Sequence, residues 1–181
     1  MKMKTLKEGI ITHADSLGEL FKFSAEHTCR SMLHSLEEFA NMEFVTFKEL
    51  TAGFFLGFEH YLWASGCSRN TSACYFRALR AICREAEKEK ELKDAKRLFC
   101  EVFMGYEETR KRALSIEQLR MVADADLEDT PSLGVARDLF ILSYYLRGIP
   151  FIDLAYLRKT DIQDNVLCYR RSKTGRMLTI T

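Results

Sequence analysis

Three residues in the C-terminal third of the sequence have the types needed to handle a phosphate. Arg147 closes the apolar pattern "VARDLFILSYYL" and stands just before the breakers Gly148 and Pro150. Asp153 follows one turn into the next helical stretch, and Lys173 sits at the tip of "SKTG", flanked by Arg170, Arg171 and Arg176. A planar, permanently charged guanidinium fork suits a phosphate on its way to a pentacoordinate transition state. A lysine carried on a mobile β-turn could protonate a leaving oxygen. The helix before Arg147 reads as buried on most faces, which places the arginine inside its domain. There it must pair with an acid or wait for an anion. Two readings stand at this point: an Arg147–Asp153 clamp holding the bend, or a phosphate ligand buttressed by Asp153. Lys173 likewise reads either as catalytic or as part of an ordinary polar turn.

A second basic set lies on the pattern "NTSACYFRALRAICREAEKEKEL". Arg77, Arg80 and Arg84 recur at steps of three and four and so share one helix face, while Phe76, Leu79, Ile82 and Cys83 point inward. Arg69, Asn70 and Thr71 stand at the start, where Asn70 or Thr71 is expected to cap the first turn and free N–H groups favour phosphate. A stripe of one sign at this length suits docking on duplex DNA. The plainer reading is a solvated face, helped by Glu85, Glu87 and Glu89. A third set, Arg110, Lys111 and Arg112 in "TRKR", either keeps a linker soluble or tracks a phosphate backbone.

The elements that must carry these groups are mostly helical. The 181 residues are 47% apolar, enough for a core, and the net charge is only +1, so any case for a polyanionic partner rests on local clusters. "SLGELFKFSAEHTCRSMLHSLEEFANM" has apolar residues at helical spacing. "TFKE", Thr46 to Glu49, is a capping box expected to open the next helix, which Gly66 stops. Four such helices predict a compact bundle over residues 1–106. Residues 107–113 lack a large apolar side chain over Glu107–Arg112 and read as a basic linker. From 114 to 181, Ser115 and Gln118 form another capping box and Pro131 suits a first helical turn. "NVLCYRR" and "RMLTIT" then predict a β-hairpin turned at Gly175.

Other chemistries find little footing. Six cysteines without a C-x-x-C pair, and a start lacking an apolar secretion core, read as reduced and mostly buried thiols of a cytosolic protein. His13, His27, His34 and His60 fit no ligand spacing, so no metal and no cofactor is expected. No run approaches membrane-spanning length. A small helical protein–protein interaction module remains the alternative from another class, and acids paired to Arg77, Arg80 and Arg84 would favour it.

Taken together, "NTSACYFRALRAICREA", "TRKRALSIEQL", "YLRGIPFIDLAYLRKTDI" and "YRRSKTGRMLTI" resemble the tyrosine recombinase (phage integrase) family, in its Bacteroides-type branch. The resemblance implies a mainly α chain. A SAM-like core-binding bundle is followed by a helical segment and a β-hairpin that begin an incomplete α+β catalytic domain. It further implies a double-stranded DNA recombination site as partner, self-association on that DNA, and strand cutting through a 3′-phosphotyrosyl link without metal or ATP. Lys173 matches the family's hairpin lysine, and Asp153 its supporting acid. With Asp153 so aligned the family's usual arginine falls at Pro150, and Arg147 stands three residues earlier, expected to reach the same phosphate from one helical turn back. Arg170 and Arg171 join the expected DNA contacts. The family's H-x-x-R box and nucleophilic tyrosine are expected beyond Thr181, so the chain is expected to bind DNA without cutting it. Integration, inversion and excision are not distinguished.

Overall fold

The structure, a computed structural model, describes residues 5–181; residues 1–4, which head the stretch read as lacking a secretion core, lie outside it. The chain divides into two compact units, Met1–Thr109 and Arg110–Thr181.

The first unit holds four α-helices. Helix α1 (Leu6–Glu19) opens with Thr5 as a capping box with Glu8 and buries Leu6, Ile10 and Ala14 at four-residue steps. Gly9 lies so close to the ring of Phe47 that an added Cβ would come within 2.5 Å of it. Helix α2 (Phe23–Phe39) buries Cys29, Met32 and Leu36. Thr51 caps α3 (Ala52–Ala64), and Gly66 follows its end at φ +82, a left-handed geometry that suits glycine. Ser68 caps α4 (Arg69–Lys88). The helices close on a core of aromatic rings: Phe55 stacks on Phe99 at 4.7 Å, and Phe58 meets Phe76 edge-on at 5.9 Å. Each such side chain contributes roughly 1.5–3 kcal/mol when fully buried.

The second unit is thinner. It comprises α5 (Ile116–Ala123), α6 (Pro131–Tyr145), α7 (Phe151–Ala155) and an antiparallel sheet in the order β1 (Ile162–Gln163), β2 (Val166–Arg170), β3 (Met177–Ile180). Leu167 pairs with Ile180 and Tyr169 with Leu178. Alternation along β2 turns Leu167 and Tyr169 inward and Cys168 and Arg170 outward. Leu167 and Tyr169, with Ile149 and Leu154, make up the buried apolar cluster of this unit.

Several local expectations hold. The Ser115–Gln118 capping box, Pro131 at the head of α6, the Gly66 stop and the hairpin turn at Gly175 (φ +67) are all present. Others need correction. The stretch from Ser16 to Met42 is not one helix run: α1 ends at Glu19, and Phe21 turns the chain at φ +56. The Thr46–Glu49 box caps a separate 3-10 turn, Phe47–Glu49, and α3 has its own cap. Ser68, not Asn70 or Thr71, caps α4, because it has the extended backbone that lets its Oγ accept from Thr71 N–H. Only Cys29 and Cys83 are buried among the six free cysteines; Cys74, Cys100 and Cys168 are exposed. Helix α6, expected to be buried on most faces, has no buried residue, because the small core beneath it receives only Leu139 and Leu146. The short strand β1 went unforeseen: two residues carry no readable alternation.

Candidate functional site

The arginine stripe of α4 faces outward. Arg77 and Arg84 are exposed and Arg80 is half-buried, and none of the three forms an ion pair with an acid among the described residues. Beside it, Arg80 and Arg84 line a groove of about 370 Å³ with Lys96, Arg97, Asp94, Phe99, Cys100 and Met104. The sequence reading missed Lys96 and Arg97. In "ELKDAKRLF" their charges are offset by neighbouring acids, and only folding brings them beside Arg80 and Arg84. Asp94 Oδ1 accepts from Arg97 N–H at 3.2 Å, and Leu98 and Phe99 bury themselves in the core, which leaves the preceding cations at the groove. The groove therefore gathers four cations from two elements around an apolar floor, an arrangement able to hold a phosphate chain.

Other residues expected in that interface already hold something else. Arg77 Nη2 donates to the Gly105 carbonyl at 3.1 Å. Asn70 donates to the Glu107 carbonyl and accepts from its N–H, both at 2.8 Å. Buried Glu59 accepts from Phe103 N–H at 2.7 Å, and the Arg69 guanidinium lies over the rings of Trp63 at 4.8 Å and Phe103 at 6.0 Å. These side chains strap residues 103–107 along α3 and α4. Thr71 Oγ1 is 2.9 Å from Ser68 Oγ at the helix cap. Arg110, Lys111 and Arg112 are exposed and free of hydrogen bonds and ion pairs among the described residues.

In the second unit the expected Arg147–Asp153 clamp is absent. Arg147 is exposed rather than buried and sits at φ +58, just past the end of α6, followed by Gly148 at φ +78. Two left-handed residues in succession reverse the chain, and Gly148 N–H closes the helix end on the Ser143 carbonyl at 2.8 Å. Asp153, only 4% exposed, instead accepts from Ser172 N–H through Oδ1 at 2.9 Å. Its Oδ2 and the Nε of Arg171 are buried without a partner. Each such open group costs about 1–3 kcal/mol. Lys173 is exposed on the turn, whose own bonds run from Arg171 N–H to the Arg176 carbonyl and from Gly175 N–H to the Arg171 carbonyl, both 2.8 Å. Arg170 Nη1 also closes the turn, on the Gly175 carbonyl at 2.8 Å. The structure thus brings Asp153 to the lysine turn, not to Arg147.

A bundle of four helices with a basic groove, followed by short helices and an antiparallel sheet, matches a known pattern. The family model described as the phage integrase SAM-like domain matches residues 6–98, over half of the chain. The chain belongs to that family. The matched integrase SAM-like region contains α1 to α4 and all four groove cations, Arg80, Arg84, Lys96 and Arg97. Among solved structures, the chain is similar to one described as a lambda integrase tetramer bound to a Holliday junction, with a TM-score of 0.74 and 17% identity. That likeness, one of fold, covers 99% of this chain and 49% of that one, so this chain spans about half its length. No curated protein matches by sequence. No helix among the described residues is long and apolar enough to cross a membrane.

Proposed function

We propose that the chain is the DNA-binding portion of a site-specific tyrosine recombinase, acting on chromosomal or mobile-element DNA in a bacterial cytoplasm. The integrase SAM-like unit grips duplex DNA through the groove between α4 and the 3-10 turn at Arg97–Phe99. One observation carries this reading: four cations converge on one groove with a single acid among them, and among the described residues none of the α4 arginines forms an ion pair with an acid. The neighbour bound to a Holliday junction supports it by analogy of fold. Arg110, Lys111 and Arg112 extend the contact along the backbone, and in the second unit Arg147 and Lys173 serve the scissile phosphate. Strand transfer through a phosphotyrosyl link, with self-association on the DNA, belongs to the recombinase as a whole.

Binding of a duplex of about three helical turns, followed by fluorescence anisotropy across salt concentrations, tests the reading. The double variant R80E/R84E is expected to weaken binding by at least about tenfold and to flatten the salt dependence, and K96E/R97E to do the same. Affinity and salt slope unchanged in both variants would refute the groove. A second reading, a protein–protein interaction module, is favoured by the Leu20, Phe21 and Phe23 corner, where Phe21 is 80% exposed. It predicts that F21E/F23E abolishes a protein contact while DNA binding never rises above the non-specific level.

A further inference from the structure

Residues 171–176 hold Lys173 by bonds that are almost all internal to the turn. Among the described residues, one hydrogen bond joins this turn to the helical part of the unit: Ser172 N–H to Asp153 Oδ1, at 2.9 Å. The acceptor belongs to α7 and, with Glu59, is one of two buried charged side chains among the described residues. The donor is the amide adjacent to Lys173. Shielding from water makes such a bond persistent, and an anionic acceptor makes it stronger than a bond to a carbonyl. Among the described residues no hydrogen bond or ion pair links Asp153 to Arg147, which is exposed and is the first of two left-handed residues after α6.

We infer that Asp153 is a positioning residue for Lys173, a latch that sets where the lysine stands when a phosphate arrives. The inference rests on the reading that Lys173 meets the DNA phosphate, and it names what the buried acid supports. The turn is closed on itself by the bonds at Arg170, Arg171, Gly175 and Arg176, so among the described residues the Asp153 bond is what ties it as a body to the helical part of the unit. A lysine on a swinging turn reaches the phosphate only part of the time, and a latched one is held in reach at lower entropic cost. The second carboxylate oxygen and Arg171 Nε stay open, so the latch is one bond and one bond can be removed.

A double-mutant cycle on the full chain, read by duplex-DNA affinity at low salt, tests this. K173A is expected to weaken binding about three- to fivefold, as does loss of a single phosphate contact. D153L keeps the branched shape of the side chain, removes the acceptor, and is expected to weaken binding similarly; adding K173A to it then costs less than about twofold more. D153N retains an oxygen for Ser172 N–H and is expected to stay within about twofold of the wild type. Hydrogen exchange of the Ser172 amide is expected to speed up about tenfold or more in D153L and to stay slow in D153N. If D153L fails to fold, D153A takes its place with the same readouts. A K173A effect that persists in full without the Asp153 acceptor overturns the inference, as does Ser172 exchange indifferent to D153L. If K173A alone leaves affinity unchanged, the phosphate role of Lys173 falls and the positioning role with it, while the α4 groove is judged by its own variants.

Discussion

The two units place their basic residues by different means. In the first, α4 is a rigid rod because Phe76, Leu79, Ile82 and Cys83 are locked into an aromatic core, so Arg80 and Arg84 are held by packing far larger than themselves. In the second, four buried apolar residues form the core, and one hydrogen bond, from Ser172 N–H to Asp153, ties the turn that carries Lys173 to the helical part. Packing holds a charged face whatever the salt or pH, and a polar latch holds a turn that must still be able to move. Under the proposed function, a DNA grip would draw on the first and a phosphate-facing lysine on the second.

The sharpest way to break this contrast is to open each core. Phe58→Ala in the first unit is expected to cost about 3–5 kcal/mol by chemical denaturation, against about 2 kcal/mol for Leu167→Ala, whose half-exposed surroundings can collapse into the gap. The Cys83 thiol, pushed up to about 12 mainly by burial, serves as the reporter: thiol reagents should reach it only when the first unit opens. Exposed Cys168 should react at once. Equal costs at the two sites would erase the distinction.

The strap comes next in size. Glu59→Ala leaves Phe103 N–H without its acceptor and is expected to cost about 1–3 kcal/mol, with faster exchange of that amide; Glu59→Gln, which keeps an oxygen, should cost much less. Ser68→Ala removes the α4 cap and should cost about 1 kcal/mol, whereas Asn70→Ala, lying off the cap, should leave α4 intact and loosen only residues 105–107. The smallest effect is acidic. Hydrogen bonds from Thr46 hold Glu49 below its ordinary 4.5, and the Ser115 hydroxyl does the same for Glu117. Both native values lie below the unfolded ones, so this contribution is complete above pH 4.5 and disappears as the pH falls through the lowered values. The urea midpoint of E49Q should therefore change less between pH 5 and 3 than that of the wild type; equal slopes would leave the Thr46 box without a charge role.

Much of this was readable in advance because it is local. Helical spacing, capping boxes at Thr46 and Ser115, Pro131 and Gly175 depend on residues a few positions apart, and so does the α4 stripe. What escaped the reading was pairing over distance. Asn70 stands out in the sequence for its place at the start of α4 and Arg77 for its place on the helix face; the backbone groups they hydrogen-bond, at Glu107 and Gly105, lie 37 and 28 residues away. Asp153 looked like the partner of Arg147 because six positions separate them, yet it meets Ser172, 19 positions on.

The sequence by itself determined the mainly helical class, the inward face of α4, the basic stripe and the family, because periodicity and side-chain type carry those signals. Only the tertiary structure decided which cations are free. Arg80, Arg84, Lys96 and Arg97 share a groove because α4 and a 3-10 turn are drawn onto the same ring of phenylalanines, and no local pattern encodes that meeting.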